Sequence, residues 1–495
     1  MLFNSAVFIF FYLPIVWLVY LLSLRLLWAR AGIAWLGVAS IFFYGYWNPA
    51  FVPLLVASIL FNYGVGRLLD RSVWDGPPRG RKALLTTGVG VNLIVLGYYK
   101  YANLLSSSAG ALTGIATPVF DVILPLGISF YTFTQIAYLV DSHAERRSEK
   151  SFAAYVLFVT YFPHLIAGPL LHHREMMPQF LRDRRGVPLA LVLEGLLFFA
   201  CGLAKKVLIA DSVAPAANRA FTLAEADPLG FVDSWFGALA YTTQIYFDFS
   251  GYSDMAIGLG LLFGIRLPLN FNSPYKSRSI VEFWRCWHMT LSRFLRDYLY
   301  IPLGGNRRGP LRRHINLTLT MLLGGLWHGA SWTFLVWGGL HGLYLQVDHA
   351  WRQLVTRSPR LEGFLGRHPL TVAVCAWALT FLAVVVAWVF FRAESFTGSA
   401  NMLAGMFGGM STIEAHLVDP HTAFYITLGL LIAIFAPNSQ ELFTGIAARL
   451  EASSRRFLAP PFLQGSHLGL LVFAIAALTL ISLSWGNNEF IYFNF

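Results

Sequence analysis

Charge is what this chain has least of. Only 12% of its 495 residues are Asp, Glu, Lys or Arg, about half the share an ordinary soluble domain carries. No long polar stretch separates one apolar run from the next, which excludes a chain of soluble domains and leaves one membrane domain over residues 1–495. Cysteine is scarce too. Cys201, Cys286 and Cys375 stand far apart, with neither a CxxC pair nor metal-ligand spacing, so no metal site is expected. GxSxG and HExxH are absent, which removes support for serine-hydrolase and zinc-enzyme chemistry. The opening MLFNSAVFIFFYLPIVWLVYLLSL lacks a basic start and a small-residue cleavage site. With about twenty apolar residues it reads as a first transmembrane helix and not as a signal peptide.

What is present is apolar and aromatic. Hydrophobic residues make up 56% of the chain, and the mean hydropathy is +0.59. Apolar segments fall at 5–24, 32–47, 50–66, 83–99, 122–140, 152–171, 188–210, 229–247, 250–265, 314–326, 331–347, 370–391, 422–437 and 467–485. The predicted fold class is all-α: a polytopic integral membrane protein with about eleven or more transmembrane helices. Several segments fall short of the roughly twenty residues a crossing needs, so re-entrant or interfacial helices, buried inside protein, are expected among them.

The net charge of +11 comes from basic residues in short loops, which is the pattern of cytoplasmic membrane loops. The expected surroundings are therefore membrane lipids, and nucleic acid is not an expected partner. Arg25 and Arg30, then Arg67, Arg71, Arg79, Arg81 and Lys82, then Arg146, Arg147 and Lys150 follow alternate crossings. These loops are predicted to be cytoplasmic. Continuing through Arg352, Arg357, Arg360 and Arg367, and through Arg449, Arg455 and Arg456, the count puts both termini outside.

One stretch differs from the rest: KSRSIVEFWRCWHMTLSRFLRDYLYIPLGGNRRGPLRRH mixes basic and aromatic residues too densely for a lipid-facing helix. It is predicted to lie along the cytoplasmic face or dip in from it, a pattern that an amphipathic interfacial helix also satisfies. Gly260 and Gly264 have the small-xxx-small spacing of close helix packing.

Histidine carries the candidate chemistry. His328, in LLGGLWHGASWTFLVWGGLHG, is flanked by apolar sequence on both sides, where an ionisable group is costly unless it is used or satisfied. Gly324, Gly325 and Gly329 predict an interrupted helix around it. A buried structural histidine is the competing reading. His288 is the second candidate, beside Arg285, Arg293, Arg296 and Asp297. His341 lies thirteen residues past His328, about 20 Å along a continuous helix, and is expected to be structural or interfacial. His143, His172, His173, His314, His349, His368, His416, His421 and His467 fall at segment ends or in loops and are expected to be solvated, while His164 is ambiguous.

WHMTLSRFLRDYLYIPLGGNR, with LWHGASWTFLVWGGLHG placing His328 forty residues after His288, resembles the signature pair of the membrane-bound O-acyltransferases. LPLGISFYTFTQIAYLVD, GLAKKVLIADSVA, YFDFSGYSDMAIGLGLLFGIRLPLNFNSPYKSRSIVEFW and the closing NNEFIYFNF extend the likeness over essentially the whole chain, toward the family's alginate O-acetylation branch. LLHHRE after IAGP departs from it, and His172 and His173 receive no role.

The resemblance implies that His328 is the active-site histidine and His288 its companion. It implies acetyl-coenzyme A as acyl donor, with no permanently bound cofactor. The expected physical design is a central funnel whose basic cytoplasmic mouth, including Lys276, Arg278 and Arg285, attracts the coenzyme phosphates by charge. The resemblance further implies a polysaccharide acceptor, a periplasmic acetyltransferase partner and the bacterial inner membrane. A D-alanyl transferase fed by a carrier-protein thioester is the alternative within the family. A transporter or export channel is the alternative from a different class.

Overall fold

The computed structural model describes residues 1–409 and 416–444, with isolated positions at 474, 477 and 491. The apolar run at 467–485, His467, Arg449, Arg455, Arg456 and all of NNEFIYFNF but Ile491 lie outside the described residues. Those described fold into helices joined by turns, as the all-α reading expects. Among the described residues, three helices are long and apolar enough to cross a membrane: Phe8–Leu26, Pro49–Leu69 and Pro369–Arg392.

The backbone forms two compact units. The first comprises Met1–Leu203 with Tyr252–Pro268. Its helices are α1 (Leu13–Leu26), α2 (Ala29–Gly45), α3 (Val52–Leu69), α4 (Pro78–Leu96), α5 (Ala102–Thr113), α6 (Ile128–Glu145), α7 (Phe152–Thr160), α8 (Phe162–Leu165), α9 (His173–Phe180) and α10 (Leu189–Ala204). Apolar surface alone does not fix such helices against one another where lipid is the solvent, so buried polar pairs and small residues take over that task. Asn62 and Asn92 exchange amide hydrogen bonds at 2.7 and 3.1 Å between α3 and α4. Gln135 donates to the Ser58 hydroxyl at 2.9 Å and accepts from the Tyr155 hydroxyl at 3.2 Å.

The second unit comprises Ala204–Gly251 with Leu269–Leu442. It contains α11 (Asp211–Ala224), most of α12 (Phe231–Leu262), α13 (Ile280–Cys286), α14 (Met289–Leu295), α15 (Pro310–His328), α16 (Trp332–Arg357), α17 (Pro359–Arg367), α18 (Pro369–Arg392), α19 (Phe396–Met406) and α20 (Pro420–Phe435). Buried Lys206 lies 2.7 Å from both Asp211 and Asp248, and Asp248 also accepts the Ile491 backbone N–H at 2.9 Å.

Four expectations need correction. The segments 229–247 and 250–265 are one helix of 32 residues, because Ser250 and Gly251 do not break α12. The close packing assigned to Gly260 and Gly264 belongs to Gly258, whose missing Cβ would meet the Gly195 carbonyl of α10. Gly264, at φ +71°, terminates α12 instead. His172 is buried, since the start of α9 packs inward on α7. His173 is also largely shielded, its ring between Tyr138 and Phe158 at 5.1 and 5.3 Å and its Nε2 3.6 Å from Glu149. His164, left ambiguous by its sequence, is buried with Nε2 against the Phe158 carbonyl at 2.9 Å.

Candidate active site

Helix α15 ends at His328 because Gly329 leaves the helical region, at φ −158° and ψ 152°. The Ser331 hydroxyl then accepts the Thr333 N–H at 3.3 Å and caps α16. The chain therefore reverses, and α16 runs back along α15. Glycine makes this possible: a Cβ on Gly325 would strike the Phe334 carbonyl, and one on Gly338 the Met321 carbonyl. Gly329 is the predicted interruption, whereas Gly325 serves the close approach of the two backbones. His328 at the tip is buried, with Trp327, Trp337 and Phe391 rings 4.9, 5.1 and 5.1 Å away.

His288 stands at the break between α13 and α14 with a left-handed backbone, φ +42°. Such a conformation is uncommon for a non-glycine residue and is held by its surroundings. The holding element is the irregular segment around Asn270, whose carbonyl accepts the Met289 N–H at 2.9 Å. The Asn270 side-chain oxygen accepts from His288 Nδ1 at 2.9 Å, from the Thr290 hydroxyl at 2.9 Å and from the Thr290 N–H at 3.4 Å. A flipped amide would set NH2 against the Thr290 N–H, so the network assigns the oxygen to this position and the ring proton to Nδ1. Nε2 of His288 is thus a bare lone pair, fully buried and without a hydrogen-bond partner among the described residues. The His288 and His328 rings stand 6.2 Å apart at 61°. The two candidates are brought together.

His341 requires a correction. It is not some 20 Å from His328 along one helix, because the reversal at Gly329 folds α16 back and places Trp337 between the two rings. Trp337 is 5.1 Å from His328 and 4.9 Å from His341. His341 Nδ1 accepts the Trp284 indole N–H at 3.3 Å, and its ring lies parallel to Phe283 at 6.0 Å. Trp287, Trp337 and Trp388 pack as a buried aromatic wall beneath this group. An apolar, water-poor wall of this kind strengthens every electrostatic interaction inside it.

Of the three basic residues expected at a donor mouth, Lys276 and Arg278 precede α13 and Arg285 lies in its last turn. Lys276 is half-buried and donates to the Ala436 carbonyl at 2.7 Å, while Arg278 and Arg285 are exposed. Among the described residues no three His, Cys, Asp or Glu side chains gather as metal ligands. Sequence reasoning missed Asn270, Trp284 and Trp337. The one signal available for Trp337 was its place four residues before His341, on the same helix face.

This constellation can supply a nucleophile with a base and shield the reacting group from water. Comparison with known proteins gives it a context. The sequence profile of the membrane-bound O-acyltransferase family matches residues 84–393. The chain is 42% identical to the peptidoglycan O-acetyltransferase of Helicobacter pylori, over 86% of this chain and 83% of that protein. It is 43% identical to the probable alginate O-acetylase of Azotobacter vinelandii, over 88% of this chain and 85% of that protein. It is 40% identical to the probable alginate O-acetylase of Pseudomonas putida, over the full length of both.

Proposed function

We propose that this chain, which belongs to the membrane-bound O-acyltransferase family, takes acetyl from cytosolic acetyl-coenzyme A and relays it across the bilayer for O-acetylation of an extracellular polysaccharide. Its enzymatic class, O-acyltransferase, follows from family membership. Donor, route and residue roles are the proposal. The observation that carries it is the buried pair His288 and His328, 6.2 Å apart, with the tautomer of His288 set by Asn270.

The acceptor hydroxyl attacks the thioester carbonyl while His328 takes its proton, and the same ring returns that proton to the departing sulfur. General base catalysis of this kind is worth about 10²–10⁴-fold. Positive charge forms on His328 during the attack, and the neutral His288 ring 6.2 Å away, with its proton on Nδ1, is assigned to stabilise that charge through its Nε2 lone pair. An acyl-histidine intermediate on His328 would use the same two rings.

Coenzyme phosphates cannot cross lipid unaided, so the donor must dock from the cytoplasm. Exposed Arg278 and Arg285, with Lys276 behind them, are the assigned cationic mouth of a central funnel. The expected sidedness is supported by the meeting of two predicted cytoplasmic loops: Arg71 N–H donates to the Arg146 carbonyl at 3.2 Å, and Ser148 binds Asp70. About eleven or more crossings in a bacterial inner membrane, and a periplasmic acetyltransferase that completes the transfer, belong to the same reading.

The test is transfer from labelled acetyl-coenzyme A by the protein in membranes, comparing the intact chain with His328→Ala and His288→Ala at equal abundance. Turnover that falls at least 10²-fold in His328→Ala supports the assignment. Undiminished turnover in that variant removes it, and transfer from a carrier-protein thioester alone would replace coenzyme A as donor. Charge reversal at Arg278 and Arg285 should raise the KM for donor and leave kcat unchanged.

A further inference from the structure

The donors needed by the other half of the reaction are on the same hairpin. Attack on a thioester pushes the carbonyl π pair onto oxygen, and an acyl-transfer site places hydrogen-bond donors where that charge develops. His328 and His288 do not fill that role in the scheme above, since one takes a proton and the other offers a lone pair.

Trp337 and His341 lie one helical turn apart on α16, both almost wholly buried. Indole is a donor only, so the Trp284 N–H arriving at His341 Nδ1 leaves the proton of the neutral His341 ring on Nε2. Neither that Nε2–H nor the Trp337 Nε1–H has a hydrogen-bond partner among the described residues. Two buried donors without acceptors, on rings 4.9 Å apart by centroid with the Trp337 ring 5.1 Å from that of His328, are costly unless a ligand completes them. Trp388 lies nearly parallel to Trp337 at 5.9 Å, and Phe283 nearly parallel to His341, so neither ring is free to turn away.

We infer that the N–H groups of Trp337 and His341 form the oxyanion-binding side of the acyl site, receiving the carbonyl oxygen of the acyl group as it becomes negatively charged. The inference rests on the acetyl-transfer reading above. In the step it describes, the hydroxyl oxygen bonds to the carbonyl carbon and its proton goes to His328. The π pair moves to the oxygen held by the two N–H groups. On collapse the pair returns, the carbon–sulfur bond breaks and sulfur leaves with the proton from His328. Trp284 is a positioning residue, acting through the tautomer of His341.

The experiment uses the full chain in membranes with labelled acetyl-coenzyme A, measuring kcat, KM and melting temperature. Replacing Trp337 by 3-benzothienylalanine keeps the ring shape and deletes only the N–H. His341→Phe deletes the second donor, and His341→Asn retains one. The expected result is a fall in kcat of about 10²-fold for each deletion, an unchanged melting temperature, KM within about threefold, and partial recovery in His341→Asn. Wild-type kcat in both deletions, or losses that track melting temperature alone, overturn the inference and leave the acetyl-transfer reading standing. An intact chain that transfers no acetyl overturns both.

Discussion

Two buried polar centres of this protein are built on opposite terms. In the first unit, Asp70 at the end of α3 is nearly inaccessible, yet both its oxygens are fully engaged. Oδ1 accepts the Ser72 N–H and hydroxyl at 2.9 and 2.7 Å, and Oδ2 accepts those of Ser148 at 3.0 and 2.9 Å. Burial alone would raise this carboxyl, but the four hydrogen bonds outweigh it and hold it well below the usual carboxylate range. In the second unit, the ring nitrogens His288 Nε2, Trp337 Nε1 and His341 Nε2 are buried as deeply and are unmatched among the described residues. A saturated centre is complete and fixes architecture. An unsaturated one is stable only because its surroundings hold it, and the acyl oxygen is the partner we propose for its donors.

The comparison can be broken most forcefully at Asn270. Asn270→Ala removes the acceptor that sets the His288 tautomer, and transfer should fall about 10²-fold at equal abundance. Retention of full kcat would mean that His288 orientation has no catalytic weight. The α15–α16 packing comes next: Gly325→Val should cost roughly 1–3 kcal/mol by overpacking, with activity per folded molecule also reduced because His328 is displaced. A thermal melt paired with the transfer assay separates the two effects.

At the saturated centre, Asp70→Ala should destabilise by about 1–3 kcal/mol, since the Ser72 and Ser148 donors lose their acceptor. Transfer by the folded fraction should not change, and a fall in kcat without a stability change would contradict the architectural role. The smallest effect is the pH dependence of that stability. A carboxyl depressed in the folded state stabilises above its unfolded value of about 3.9 and loses that contribution as pH falls toward the folded value. Wild type and Asp70→Asn should therefore differ in melting temperature at neutral pH, and the difference should begin to shrink only as pH falls below about 4.

His328 could be found in the sequence because an ionisable residue stood between apolar runs beside glycines. The break at Gly329 could be inferred for the same reason. The reversal could not, since periodicity along LWHGASWTFLVWGGLHG is the same for a bent helix and for a hairpin. His341 was therefore misplaced. Asn270, between Leu269 and Phe271, has no local signature, because its role arises only when it pairs with a residue eighteen positions away. His172 and His173 were misread as solvated because sequence position at a segment end says little about which side of a short helix packs inward. The α12 boundary failed similarly, as Ser250 and Gly251 inside a buried helix resemble a turn until neighbours cover them.

The hairpin of α15 and α16 also has a consequence in time. Its contacts, and the pairing of Asn270 with His288, join residues close in sequence, which form quickly because little chain must be closed. Trp388 and Phe391, which complete the wall around Trp337 and His328, lie on α18 and leave the ribosome later. The two histidines are therefore set first and sealed afterwards, so that during synthesis a nascent chain holds them in register before the aromatic wall closes around them.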